Sequence, residues 1–438
     1  MGLWKEKKKR VVVIGLDGVP YSFLQELLRR GELPNFRSLF SEGSLVRMNS
    51  TVPCVSSVAW SSYMTGRNPG KHNIYGFVDR NRETLDSYIP TSKNMGCTSL
   101  WEVLGQQGKR VLVINVPLTY PPRPVNGILI GCFLCMNMDK VAYPKEISQT
   151  LKSLGYRIDA DARQAKKNEA SFLADLHETL RKRVEVSLHL YDKEEWDFFQ
   201  LHIMETDRIN HFLWDGWVDE TSSHRNDFLQ FYRALDKALG EIVSRIDPES
   251  EILVLSDHGF CSIDKEVNLN TWLKEKGWLR YEGEPSQELK AIQPLSRAYS
   301  LLPGRIYLLE KDESGRRQLR EEIVEGLQKL RDPSSGNRVI EKVWPKEEIY
   351  AGPYQNNGPD LVATPRRGYD LKGSFSARQM MTGSGMKGMH TDDDAFLYLH
   401  RHRLQKEQAE IVDVYPTVLS LMKIPPESDV DGVSLIRE

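Results

Sequence analysis

Four stretches of this chain place carboxylates and imidazoles where they could hold metal ions. Asp17 follows the β-branched run Val11–Leu16, and the dipeptide Asp257-His258 follows the apolar run in EILVLSDHG. Asp207 and His211 lie four residues apart in METDRINHF, which on a helical turn puts both on one face. His390 sits in GSGMKGMHTDDD, where glycines at 383, 385 and 388 let a loop bend close to a ligand. Each has a plain alternative: Asp17 as a helix cap, Asp257-His258 as an ordinary turn, His390 as a surface histidine. Taken together they offer three carboxylates and three imidazoles without a thiolate. That donor set suits an open catalytic pair of divalent ions better than a closed structural zinc site, and two sites of three protein ligands are its simplest partition.

A nucleophile is offered by VPCVSSVAWSSYMTGRNPGKHNIYGF, where Ser56 or Ser57 precedes a short helix expected to run to about Met64. The plain role is an N-cap. The chemical role uses the same place, because backbone N–H groups and the helix dipole favour an alkoxide and a phosphoryl oxygen there.

These residues need elements that bring them together. Val11–Leu16, VLVIN from Val111, FFQLHIM from Phe198 and EILVL from Glu251 are continuous apolar runs, the pattern of strands buried on both faces. Helical patterns separate them, notably at residues 169–190 and 228–246, and AFLYLH (395–400) with a helix at about 411–422 ends the chain. The alternation predicts an α/β fold, a mostly parallel sheet sandwiched by helices, whose ligands gather at the strands' carboxyl ends. Residues 261–344 break the alternation and are expected to form an inserted cap. Residues 1–260 and 345–438 would then build the core, the second part supplying the last metal ligand.

The chain has 438 residues, 59 Lys plus Arg and 61 Asp plus Glu. A near-neutral balance leaves no electrostatic footprint for duplex nucleic acid or an anionic membrane, so phosphate recognition must be local. The leader MGLWKEKKKR precedes an apolar run too short for a signal peptide or a membrane span, and the expectation is a cytoplasmic protein. Of five cysteines, Cys132 and Cys135 form the one close pair, in a stretch that reads as a strand, and are expected to be buried free thiols.

In order and spacing, Asp17, Ser56, Asp207, His211, Asp257-His258 and His390 resemble the alkaline phosphatase superfamily, most closely its type I phosphodiesterase and nucleotide pyrophosphatase branch. SSVAWSSYMTGRNPGKHNIYGF, NVPLTYPPRPVNG and IYAGPYQNNGPDLVATPRRGYDLKG extend the resemblance over almost the whole chain. It implies an alkaline-phosphatase-like fold and two divalent cations, Zn2+ first and Mn2+ as an alternative. Asp17, Asp257 and His258 would hold one, with Ser56 as a further ligand, and Asp207, His211 and His390 the other. Ser56, chosen over Ser57 by its distance before Thr65-Gly66, would be the nucleophile of a phosphoseryl route. Relatives of the nucleotide branch carry threonine there and asparagine three residues later, where this chain has Ser56 and Ala59. The sulfatase pattern Cys-x-Pro-x-Arg is absent, since Cys54 is followed by VSSV.

The implied substrate is a small phosphate ester or nucleotide-like molecule, with Asn73, Lys387 and the Ser57 amide as candidates for binding its phosphoryl oxygens. His72 and Trp60 are read as structural. A phosphomonoesterase or phosphomutase on the same residues, and an inactive metal-binding homologue, are the alternatives.

Overall fold

The protein is described by a computed structural model that covers residues 9–282 and 289–436; residues 1–8 of the basic leader therefore lie outside the described residues. Val11–Leu16 forms the central strand, hydrogen-bonded in parallel to Phe198–Ile203 on one side and Glu251–Leu255 on the other. Its alternate side chains enter different cores: Val12, Ile14 and Leu16 pack into one apolar cluster, Val11 and Val13 into a second. A strand with helices over both faces has no solvated side, which is why the run is apolar at every position.

The whole sheet has nine strands, in the order Gln408–Glu410, Gly43–Asn49, Ala395–His400, Glu251–Leu255, Val11–Leu16, Phe198–Ile203, Val111–Ile114, Gly127–Ile130 and Ala142–Tyr143. The middle is parallel, whereas Ala395–His400 pairs antiparallel with both its neighbours. The mixed, mostly parallel α/β sheet expected from the sequence is present. Among its covering helices, Glu169–Lys193 starts at Asn168, whose side chain accepts from the Ser171 amide, and Arg225–Val243 packs against it.

A third apolar cluster belongs to a second layer, in which Ala298–Leu301, Arg305–Leu308, Leu361–Pro365 and Ile340–Pro345 form an antiparallel sheet under the helix Glu313–Gln328. The layer is longer than the insertion read from sequence at 261–344. Leu361, Ala363, Tyr369, Leu371 and Phe375 also pack in this cluster. Their alternating apolar pattern reads equally well as core strand, and only the partner sheet decides between the two.

The Cys132–Cys135 segment is also corrected: it forms a turn after Gly127–Ile130 and not a strand, although both thiols are buried and free. Among the described residues, no helix is long and apolar enough to cross a membrane.

Candidate metal centre

Asp17 leaves the carboxyl end of its strand, and Asp257 and His258 leave the end of the parallel neighbour. All three are fully buried. Gly18 turns the chain with φ +67°, its amide donates to Asp257 Oδ1 at 3.1 Å, and any Cβ there would collide with Phe260 and crowd His258. His258 Nε2 lies 3.4 Å from Asp17 Oδ1 and 3.5 Å from Asp257 Oδ2.

The second group is assembled from a helix and a strand. Asp207 and His211 share one face of Glu205–Leu213, and His390 comes from Gly388–Thr391, which pairs antiparallel with Gly259–Asn268. Asp207 Oδ1 lies 3.3 Å from His211 Nε2 and 3.2 Å from His390 Nε2, and the two Nε2 atoms are 3.0 Å apart. The groups adjoin, because the His258 and His390 rings stack with centroids 3.7 Å apart.

All three imidazoles are oriented in one way. Nδ1 of His211 faces the Gly388 carbonyl at 2.9 Å, Nδ1 of His390 the Cys54 carbonyl at 3.1 Å, and Nδ1 of His258 the Gly259 carbonyl at 3.1 Å. An Nδ1–H donated to backbone leaves each Nε2 lone pair aimed at the centre, the arrangement of metal-ligating histidines.

The donors fit a pair of cations. Within each triad the ligand atoms lie within 4.8 Å of one another. Asp257 Oδ2 is buried with no hydrogen-bond partner among the described residues, and Asp17, Asp207 and Asp257 are all buried carboxylates of the two adjoining groups. Protonation shows the same strain when protein charges act alone. Burial, and then Asp17, push the Asp257 carboxyl well above the usual range. Burial opposes ionisation of Asp207, but His211 and His390 hold it well below that range. For His258 burial is outweighed by the Asp257 and Asp17 carboxylates, which raise it to about 9. Burial, with His258 beside it, lowers His390 to about 4. A divalent ion at each triad would neutralise this crowding, and oxygen with imidazole donors suits zinc or manganese.

Ser56 is buried and joins the first triad, its Oγ 3.1 Å from Asp17 Oδ1 and 3.2 Å from His258 Nε2. It is the first residue of the helix Ser56–Thr65 and not its N-cap, which is Val55; no side chain caps this helix. The hydroxyl is thus directed to the carboxylate instead of the helix backbone.

The other expected contacts fall elsewhere. The Asn73 amide donates to Asn94 O at 3.3 Å and accepts from Asn357 at 2.9 Å, so both its side-chain oxygen and its nitrogen are engaged within the protein. The Lys387 side chain is exposed, and its backbone N–H donates to His211 O at 2.7 Å. His72 is buried, shares a hydrogen bond with Ser62 and accepts from the Ile74 amide, as a structural histidine does.

Two groups near the metal centre were not read as such from sequence. Trp60 is core, but its indole N–H also donates to Asp17 Oδ2, and His202 reaches the same oxygen. The available signal was His202 itself, an imidazole within the mostly apolar run of Phe198–Ile203.

Comparison with known proteins agrees with this architecture. A family model described as type I phosphodiesterase/nucleotide pyrophosphatase matches residues 11–392. Phosphonoacetate hydrolase from Sinorhizobium meliloti 1021, solved with phosphonoformate, is 15% identical, with 95% of this chain and 96% of that one covered and a TM-score of 0.68. Human ectonucleotide pyrophosphatase/phosphodiesterase 5 is 15% identical, with 97% of each chain covered and a TM-score of 0.60. Its murine counterpart, in an inactive form with AMP, is 14% identical over 95% of both chains with a TM-score of 0.58. No curated protein matches by sequence. Spanning most of the length from the first strand to just past His390, the match shows that this chain belongs to the type I phosphodiesterase/nucleotide pyrophosphatase family of phosphoric ester hydrolases.

Proposed function

We propose that this protein is a phosphodiesterase that works with two divalent cations, Zn2+ or Mn2+, and passes the phosphoryl group through Ser56. The observation that carries the reading is the position of Ser56 Oγ, 3.1 Å from Asp17 Oδ1 and 3.2 Å from His258 Nε2, with the second triad stacked alongside. Asp17, Asp257 and His258 would hold one cation and Asp207, His211 and His390 the other. Bound there, the ions would supply Lewis-acid polarisation of the phosphoryl oxygens and a nucleophilic water at neutral pH.

The chain's own residues do the rest. Asp17 Oδ1 is within reach of the Ser56 hydroxyl proton, and the amides at the start of Ser56–Thr65, Ser57 among them, favour the anionic phosphoryl group. Ser56 Oγ forms a bond to phosphorus as the bond to the leaving oxygen breaks, and that oxygen departs with a proton as an alcohol. Water then cleaves the phosphoserine, releasing a monoester and restoring the hydroxyl. Two in-line displacements retain configuration at phosphorus.

Zinc- or manganese-loaded protein should hydrolyse bis(4-nitrophenyl) phosphate faster than 4-nitrophenyl phosphate. Ser56→Ala should lower kcat by a factor on the order of 10^3 or more while metal content is kept. Faster turnover of the monoester would instead identify a phosphomonoesterase, and full activity of Ser56→Ala would remove the serine from the reaction.

A further inference from the structure

On the His211 and His390 side of the metal centre, a cavity of about 330 Å3 runs between the core helix Glu205–Leu213 and the second layer. That volume is at the small end of the roughly 300–1,000 Å3 of small-molecule sites, room for one substituent more than for a large ligand. Its wall includes Phe77, Phe212, Leu302, Pro303, Met386 and Met389. Phe212 directly follows the ligand His211, so one helix turn lines both the metal centre and the cavity. Leu302 is 44% exposed at the rim, a large apolar side chain that the fold itself leaves uncovered.

Several polar groups on this wall already have partners. Arg208 lies 2.6 Å from Asp159 and 3.2 Å from Asp207, Lys372 lies 2.5 Å from Asp370, and the Thr364 hydroxyl accepts from the Trp344 indole at 2.7 Å. A nucleobase or sugar would bring several donors and acceptors, more than the Thr364 hydroxyl proton and the Asp392 carboxylate on this wall could meet, and buried unpaired polar groups are costly. An alkyl or aryl group brings none. Met386 and Met389 add unbranched, adaptable thioethers that fit chains of varied shape. Beyond His390 and Cys54 the wall changes character: a wider cavity of about 770 Å3 carries Arg338, Lys342, Arg366 and Arg367.

Resting on the diesterase reading, we propose that the smaller cavity binds an apolar ester arm, so that the substrates are phosphodiesters with one alkyl or aryl substituent and nucleotides are disfavoured. The apolar arm would leave water for this cavity while the phosphoryl group stays at the metal centre.

The test uses the metal-loaded full chain with bis(4-nitrophenyl) phosphate as reporter substrate and methyl, propyl and pentyl phosphate as inhibitors. The expected Ki falls by about fourfold per added methylene, the ratio that corresponds to about 0.8 kcal/mol for each CH2 buried. Leu302→Asp, at a rim position that folding does not require to be covered, should flatten this dependence and leave the methyl phosphate Ki unchanged. A Ki independent of chain length in the wild type, a dependence that survives in Leu302→Asp, or tighter inhibition by a nucleoside monophosphate than by pentyl phosphate overturns the apolar-arm inference while the diesterase reading stands. Absence of any diester hydrolysis overturns the diesterase reading instead.

Discussion

His202 Nε2 lies 2.9 Å from Asp17 Oδ2, and the indole N–H of Trp60 donates to that same oxygen from 3.0 Å. Among the described residues Nδ1 of His202 has no hydrogen-bond partner, so the ring proton belongs on Nε2 and His202 is a donor to the carboxylate. With Oδ2 occupied twice, Oδ1 is the oxygen presented to Ser56 and to a cation. Burial opposes ionisation of Asp17, yet the His202 and His258 hydrogen bonds hold it well below the usual carboxylate range. His202→Ala should therefore weaken cation binding about 10–100-fold, as loss of an outer hydrogen-bond partner typically does. Chelator competition measures this directly, His202→Gln should recover part of it, and an unchanged Kd would show that Asp17 needs no such support.

Gly15 stands across the parallel ladder from His202, and a Cβ on it would lie 2.5 Å from the Trp60 ring. The indole reaches Asp17 because that Cβ is missing. Gly15→Ala should cost about 1–3 kcal/mol in urea unfolding, the usual penalty for overpacking a core. It should also lower cation affinity by displacing the indole N–H; wild-type values for both would mean that the ring has another resting place.

The helix that carries Asp207 and His211 is anchored at its first residue by a fully buried ion pair, Arg183 Nη2 to Glu205 Oε1 at 2.8 Å. The Tyr156 hydroxyl and the Ile158 carbonyl accept two further guanidinium N–H groups. Arg183→Met leaves a carboxylate uncompensated in the core and should destabilise the fold by about 3–5 kcal/mol. The double variant Arg183→Met with Glu205→Leu removes both charges and should recover most of that loss. Equal destabilisation of the single and double variants in denaturant titrations would mean that the hydrogen bonds to Tyr156 and Ile158, and not the charge pair, hold the helix.

Burial lowers His72 from the usual imidazole range to about 3. Its folded value is depressed, so between pH 6.5 and 3 the unfolded chain binds the extra proton. The stabilisation is complete above pH 6.5 and is lost as pH falls toward the folded value, with a slope of about 1.4 kcal/mol per pH unit from this one group. In His72→Gln the dependence of unfolding free energy on pH should be shallower by about that slope across the window. Parallel curves for variant and wild type would show that His72 accepts its proton while folded.

Much of this protein was legible from residue type and spacing. Uninterrupted apolar runs such as VVVIGL mark strands covered on both faces, and Asp207 with His211 at a spacing of four declares a shared helix face, because both are local periodicities. All six candidate acid and imidazole ligands were nameable, as was Ser56, from strand ends, a spacing of four, a helix start and a glycine-rich stretch that folds as the strand Gly388–Thr391. Other properties depend on contacts between segments far apart in the chain. Whether Leu361–Pro365 serves the central sheet or the second layer follows from its hydrogen-bonded partners, and the partner of the Asn73 side-chain oxygen is Asn357, 284 positions away. Likewise His202 and Trp60 look like core residues until folding places both rings on one oxygen of Asp17. Local pattern states which side chains can bind a metal, whereas the packing of strands and helices decides which atoms meet, because hydrogen-bond geometry is set by tertiary contacts to within a few tenths of an ångström.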